Sequence, residues 1–408
     1  MKPSTANDNV DTSYKCLKWL NSLQINLIRI INNAINQKSY TLGNDFELDD
    51  ALITAQQHNT VNMLFYGLKN SNYSEYANEV FSTVYSNILQ DEFQRNEIKK
   101  ICDEFNKNNI DFSTLKGVNL KKLYPSTDMR EMGDADILIR SEQYEQIKQI
   151  MKRLGFVFIK EEAHDFAWQN SKLYIELHKS LFDDYRDIYS EVTANYKNSW
   201  SLMHPTGNGS EYTFSPEDEF IYLFAHFTKH YKLSGIGIRH LTDLWVFHRA
   251  NPDIDMQYVK EHLRQMNLLE FFENVWNTAL CWFDGKEFDE MSEYISNEIL
   301  SGGSFGTLEN QVLSDFIAKE ETGTGFSLKF KRNLKYIFLP YKAMAVKYPI
   351  LNKIPIALPI TWVLRLIDIA VNKRQTLSKY IEEEKFISCD KIAKRKKSLK
   401  YVGLKCKN

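Results

Sequence analysis

A chain of 408 residues exceeds what one ordinary hydrophobic core supports, so two or three domains are expected. Its 51 basic and 53 acidic side chains nearly cancel, without the basic excess that a dedicated nucleic-acid binder usually shows. Five scattered cysteines (Cys16, Cys102, Cys281, Cys389 and Cys406) have no C-x-x-C spacing, which speaks against a disulfide framework or a zinc knuckle and fits a reducing compartment.

The polar start, MKPSTANDNVDTS, carries no signal-peptide pattern, and no apolar run reaches about eighteen residues. A cytoplasmic chain without a spanning helix is expected. Residues 14–37 place Leu17, Leu20, Leu23, Leu27, Ile30, Ile31 and Ile35 at helical spacing, and 47–69 repeat the pattern. Residues 75–108 predict a long helix, broken at most once and stopped by Asn108-Asn109. Near 110 the character changes. Ile110-Asp111-Phe112 reads as extended, Lys116-Gly117 as a turn, and VNLKKLY as a helical turn ended near Pro125. A strand over 134–140 follows, then a helix with Ser141 as N-cap and Gly155 as its stop. VFIK (157–160) reads as a strand. Residues 164–170 and 172–179 read as two more, joined by a tight Asn170-Ser171 turn. From Ser215, a cap followed by Pro216 and acids, helices dominate: 216–232 and 238–250 flank a Gly235-Ile236-Gly237 break. Further on, Gly302-Gly303 interrupts the helices and prolines break the apolar stretch within 343–375. The fold class expected is α+β, predominantly helical, with a small mixed sheet between helical regions. Its divisions are 1–74 (helical), 75–200 (α/β core), 201–320 (helical) and 321–408 (helical, with a basic tail).

The chemistry concentrates in Gly133-Asp134-Ala135-Asp136-Ile137-Leu138-Ile139. Residues i and i+2 of a strand share a side, so Asp134 and Asp136 project together while Ile137 and Ile139 anchor the other face. Two anions so placed repel unless a cation sits between them, and Mg²⁺ is the usual one where nucleotide phosphate completes the shell. A solvated turn before a strand is the plainer alternative. A catalytic metal site needs a third acid, and Glu176 in Tyr174-Ile175-Glu176-Leu177-His178 is the best candidate, because alternation puts it with Tyr174 and His178 opposite the core residues Ile175 and Leu177. Lys116-Gly117 offers a cation and close backbone approach to a phosphate, and Arg130 stands four residues before Asp134.

Other signals are weaker. His226 and His230 share a helix face at i and i+4, but the intervening Phe-Thr-Lys is not the H-E-x-x-H zinc pattern. They read as an acceptor-side polar pair or as a satisfied structural pair, with zinc the least favoured reading. His240 and Asp243 read as a helix-packing hydrogen-bond pair. His178 reads as a contact to phosphate or acceptor, or as a buried hydrogen-bonded ring. The basic tail (Lys391, Lys394, Arg395, Lys396, Lys397, Lys400, Lys405, Lys407) is a solvated or frayed end or, following the amphipathic 355–371 segment, a peripheral contact with an anionic membrane.

LKGVNLKKLYP, MREMGDADILI and YIELH together resemble the bacterial nucleotidyltransferases of the DNA polymerase beta-like superfamily, in particular the branch usually labelled uncharacterised nucleotidyltransferase. The matching positions are Lys116, Gly117, Tyr124, Pro125, Arg130, Gly133, Asp134, Asp136, Glu176 and His178; HFTKHYKLSGIGIRHLTDLW and, more loosely, KYPILNKIPIALPITWVLR extend the likeness. Lys-Gly stands where the wider superfamily usually has Gly-Ser or Gly-Gly, and Glu176 where the branch often has Asp. The resemblance implies an enzyme using Mg²⁺ (or Mn²⁺), with Asp134, Asp136 and Glu176 as catalytic and metal-binding acids. It also implies that Lys116, Gly117 and Arg130 bind the nucleotide, and that His178, His226 and His230 lie toward the acceptor. An NTP, ATP among the candidates, would give its nucleotidyl group to a hydroxyl or phosphate acceptor and release pyrophosphate. The branch is often encoded near polysaccharide or peptide-natural-product genes, which implies a biosynthetic role. Phosphoryl transfer from the same site, and a degenerate nucleotide sensor, are the rival readings.

Overall fold

A computed structural model describes residues 18–43, 45–162, 164–182, 196, 198–304, 306–318, 325–372, 378 and 382–405. Cys16, Leu17, Cys406 and Lys407 lie outside the described residues. The chain divides into two compact units, one of Met1–Tyr231, Gly235–Gly306 and Val402–Leu404, the other of Lys232–Ser234, Thr307–Tyr401 and Lys405–Asn408.

The first unit opens with α1 (Ser22–Asn36), which starts later than its periodicity suggests because Asn21 and Gln24 form a reciprocal capping box. The pattern over 47–69 is two helices, α2 (Leu48–His58) and α3 (Val61–Lys69), separated where Asn59 turns left-handed at φ 52°. α4 (Ala77–Lys107) runs unbroken for 31 residues.

Five strands follow: β1 (Phe112–Thr114), β2 (Asp134–Ile139), β3 (Val157–Glu161), β4 (Asp165–Gln169) and β5 (Tyr174–His178). They form one sheet in the order β1-β2-β5-β4-β3, with β2 and β5 parallel and every other pair antiparallel. A short helix, α5 (Gly117–Leu120), lies between β1 and β2, and α6 (Tyr144–Arg153) between β2 and β3. Two local expectations change. Ser141 lies inside a 3₁₀ turn (Ser141–Gln143) ahead of α6 and does not cap it. The β4–β5 connection is longer than a two-residue turn: the Asn170 side chain accepts from the backbone N–H groups of Lys172 and Leu173, closing an Asx-type loop. Gly155, at φ 81°, does end the α6 segment.

Alternation then divides the sheet by function. Ala135, Ile137 and Ile139 of β2, Ile175 and Leu177 of β5, and Phe166 and Trp168 of β4 are buried. They pack with Ile98, Ile101 and Phe105 of α4 and Ile147, Ile150 and Met151 of α6. The other face carries Asp134, Asp136, Glu176 and His178. A small hairpin, β6 (Met203–Pro205) with β7 (Tyr212–Phe214), precedes the helices. α7 (Pro216–Leu233) begins as its cap predicts, with Ser215 Oγ accepting from the Asp218 N–H. α8 (Ile238–Ala250), α9 (Met256–Gln265), α10 (Leu269–Phe283) and α11 (Glu290–Gly302) complete this unit.

The second unit contains α12 (Leu308–Ala318), α13 (Gly325–Ile337), α14 (Tyr341–Lys347), α15 (Leu358–Asn372) and α16 (Cys389–Tyr401). Val312, Leu313, Phe316, Leu328, Ile387 and Ile392 form its core. Pro349 and Pro355 each start a 3₁₀ turn, which is why the apolar stretch does not become one long helix. Within the basic tail, Cys389–Tyr401 is helical: Arg395 and Leu399 are buried and Lys391 pairs with Glu309 at 2.9 Å, while Lys394, Lys397 and Lys400 are exposed. Ile360, Val363, Leu364, Ile367 and Val371 form an exposed row on α15. Among the described residues no helix is long and apolar enough to cross a membrane. The architecture is thus α+β and mainly helical around a small mixed sheet.

Candidate active site

The register between β2 and β5 sets the geometry: Asp134 lies opposite Tyr174, Asp136 opposite Glu176, and Leu138 opposite His178. Glu176, forty residues downstream, therefore stands beside Asp136 on the same face. Ligand atoms of Asp136, Glu176 and His178 all lie within 4.8 Å of one another.

Asp136 is buried and doubly partnered. Lys116 Nζ donates to Asp136 Oδ1 at 3.1 Å, and His178 Nε2 lies 2.6 Å from the same oxygen. Burial alone would raise the Asp136 pKa, but the charge of Lys116 and the His178 hydrogen bond outweigh it and hold the carboxyl well below the usual range. Lys116 is moved the opposite way. Desolvation disfavours its ammonium, yet Asp136, Tyr222 and Asp134 raise its pKa above that of an ordinary lysine. Glu176 and Asp134 lack comparable compensation. Desolvation and then Asp136 and Asp134 push Glu176 up to about 7, and desolvation and Asp136 raise Asp134. Asp136 has a lysine at ion-pair distance, while Asp134 and Glu176 meet Arg239 and Lys116 only at longer range.

Lys116 sits at the entrance to α5 with φ 44° and ψ −115°, a backbone conformation that costs a non-glycine residue about 1–3 kcal/mol. Gly117 follows because nothing larger fits: a Cβ there would lie 2.5 Å from Arg130 Nη1 and 3.1 Å from Met132 sulfur. Arg130 itself is buried. Its Nε and Nη2 each donate to Asp243 at 2.8 Å, and Tyr124 Oη donates to the same carboxylate at 2.7 Å. Asp243 thus clamps Arg130, and the expected His240–Asp243 pair gives way to this contact.

Lys116, Gly117, Arg130, Asp134, Asp136, Glu176, His178, His226 and His230 all line one cavity of about 210 Å³. Arg239, His240 and Lys229 line it too, although no local pattern in the sequence assigns them to the site. Arg239 Nη1 donates to the Glu131 carbonyl at 2.9 Å, while its Nε is buried without a hydrogen bond. Desolvation and the nearby Arg130 lower its pKa. Its sequence signals are the glycine break ahead of it and its place in HFTKHYKLSGIGIRHLTDLW, the block that extends the family likeness. Gly237 is required there, since a Cβ would meet the Gly303 carbonyl and His58 Nδ1, each at 2.8 Å. The His58 ring secures this bend by accepting from the Ile238 N–H and lying 3.1 Å from the Leu300 carbonyl.

The sequence profile of a family described as uncharacterised nucleotidyltransferase matches residues 44–284, more than half of the chain. Among solved structures, the chain is similar to the antibiotic-resistance factor ANT(2'')-Ia at 12% identity and a TM-score of 0.32, over 46% of this chain and 94% of that one. No protein of curated function matches.

Proposed function

Because this chain belongs to the uncharacterised nucleotidyltransferase family, we propose that it moves a nucleoside monophosphate group from an NTP to a hydroxyl or phosphate acceptor, releasing pyrophosphate. The observation that carries this reading is the alignment of Glu176 with Asp136 across β2 and β5, in a cavity that also holds Asp134 and Lys116.

Asp134, Asp136 and Glu176 would hold Mg²⁺ or Mn²⁺. The three acids offer oxygen donors that suit a hard cation, Asp136 and Glu176 already clustering with His178 and Asp134 sharing their strand face, and the raised pKa values of Asp134 and Glu176 mark a carboxylate repulsion that a cation would relieve. When bound, such a cation supplies charge stabilisation at the phosphoryl oxygens. The chain's own residues do the rest. Lys116 and Arg239 present positive charge to the triphosphate. Arg130, committed to Asp243, braces the Lys116-Gly117 turn against which the phosphates pack. The acceptor hydroxyl oxygen attacks the α-phosphorus, the bond from that phosphorus to the pyrophosphate oxygen breaks, and the hydroxyl proton passes to Glu176.

The test is incubation of the enzyme with each labelled NTP, Mg²⁺ and a metabolite extract, followed by mass analysis of what gains a nucleotidyl group. Asp136→Asn is expected to abolish transfer with the fold intact. Undiminished turnover in that variant, or release of nucleoside diphosphate in place of pyrophosphate, refutes the proposal.

A further inference from the structure

The cavity that holds the carboxylates is also lined by imidazoles. His226 and His230 stand one turn apart on α7, and His240, from the first turn of α8, completes a triangle. One nitrogen of each ring lies within 4.8 Å of the other two, and the rings are half-buried. We propose that His226, His230 and His240 form a second cation site in the cleft, one that takes a borderline transition metal such as Zn²⁺ and is separate from the carboxylate centre.

Four observations support it. His226 Nε2 and His230 Nε2 are 3.1 Å apart. Two imidazole nitrogens on a tetrahedral Zn²⁺, each at about 2.0–2.1 Å from the metal, are separated by roughly 3.3 Å. The pair is therefore already spaced as two ligands of one ion. Second, His240 Nδ1 is buried without a hydrogen bond of ordinary geometry, and the Gly237 backbone acts on the ring only weakly, so no strong protein partner holds this imidazole. Third, the donors are all nitrogen, which selects Zn²⁺ and its neighbours over the Mg²⁺ that the carboxylates suit. Fourth, all three rings face the cavity, which leaves a fourth position for water or a substrate oxygen, as in catalytic rather than structural zinc sites.

The protonation states agree. Desolvation lowers all three pKa values, His240 to about 3, so the rings are neutral and ligand-competent near pH 7. Neighbouring charge adds to this: Lys116 and Lys229 act on His226 and His230, and Arg239 on His230 and His240. Those cations also oppose a metal ion, but Lys116 is balanced by Asp136, and Asp243 and Asp134 act on Arg239. On binding, the ring that donates in the His226–His230 hydrogen bond shifts its proton to Nδ1, so the imidazoles release no net proton.

The inference does not depend on the nucleotidyl-transfer reading, and the test keeps them apart. Tag-free full-length protein, stripped with chelator, is titrated with Co²⁺, and the visible ligand-field band of four-coordinate cobalt is followed. One equivalent is expected, displaced by Zn²⁺ and not by excess Mg²⁺. His240→Ala is expected to weaken cobalt binding at least about tenfold, whereas Glu176→Gln, which alters the carboxylate centre and leaves the Lys116–Asp136 pair in place, keeps the band. Should His240→Ala not fold, His230→Gln serves the same purpose. Absence of the band, or a band that survives the histidine change and disappears in Glu176→Gln, overturns the proposal.

Discussion

Replacing Glu176 by glutamine should stabilise the protein while impairing its chemistry. Glu176 sits beside Asp136, its side chain 25% exposed, with a pKa pushed from 4.5 to about 7 by desolvation and then by Asp136, Asp134 and Asp165. An acid whose pKa is raised on folding holds its proton more tightly in the native state than in the unfolded chain. Its contribution is therefore favourable at low pH, is lost as pH climbs from about 4.5 to about 7, and is flat beyond. A separation of this size corresponds to about 3 kcal/mol, which partial exposure to solvent reduces to about 2 kcal/mol. Without divalent cations, Glu176→Gln should be more stable than the parent by about 2 kcal/mol at pH 8, and the two should converge near pH 4.5. Calorimetric melts in chelator from pH 5 to 8 measure this gap. Glu219, also pushed up to about 7 by desolvation, titrates in both proteins and cancels in the difference. Saturating Mg²⁺ should then stabilise the parent more than the variant, since it relieves the repulsion that the substitution removes. A gap that does not grow between pH 5 and 8, or a variant less stable at pH 8, refutes the placement of uncompensated charge at Glu176.

Lys116→Met should lower kcat/KM for the NTP by about 10²–10³-fold, as loss of an oriented cation does in other polar sites, and steady-state kinetics would show it. Gly117→Ala forces a methyl against Arg130 Nη1; a loss of about 1–3 kcal/mol is expected in a denaturant melt. Asp243→Ala leaves the buried Arg130 guanidinium without its bidentate partner. Unfolding measurements should record a loss of about 3–5 kcal/mol, and an unchanged midpoint would show that Arg130 finds another counter-charge.

Much of the molecule is legible without coordinates because its signals are local. Period-two alternation in β2 and β5 fixes which side chains share a face whatever those strands pair with, so Asp134 with Asp136, and Glu176 with His178, follow from the chain alone. Ser215-Pro216 marks a helix start because a hydroxyl cap and a fixed φ act within one turn. The starts of α1 and α6 differ from the sequence expectation because capping depends on which side chain actually reaches a free N–H: Gln24 does, Ser141 does not.

Tertiary structure decided everything that requires two distant segments to meet. A one-residue slip between β2 and β5 would turn Glu176 into the core, and only the packing of Ile175 and Leu177 against α4 and α6 selects the register that sets it beside Asp136. Arg130 carries the same charge in any fold, but whether it faces a phosphate or is held by Asp243, 113 residues on, depends on how α8 lies against the turn. The pair His226 and His230 is visible as a helical spacing, while the third imidazole comes from a different helix across a glycine bend. Spacing along one element is a property of the backbone; proximity between elements is a property of the packed core, and no local pattern encodes it.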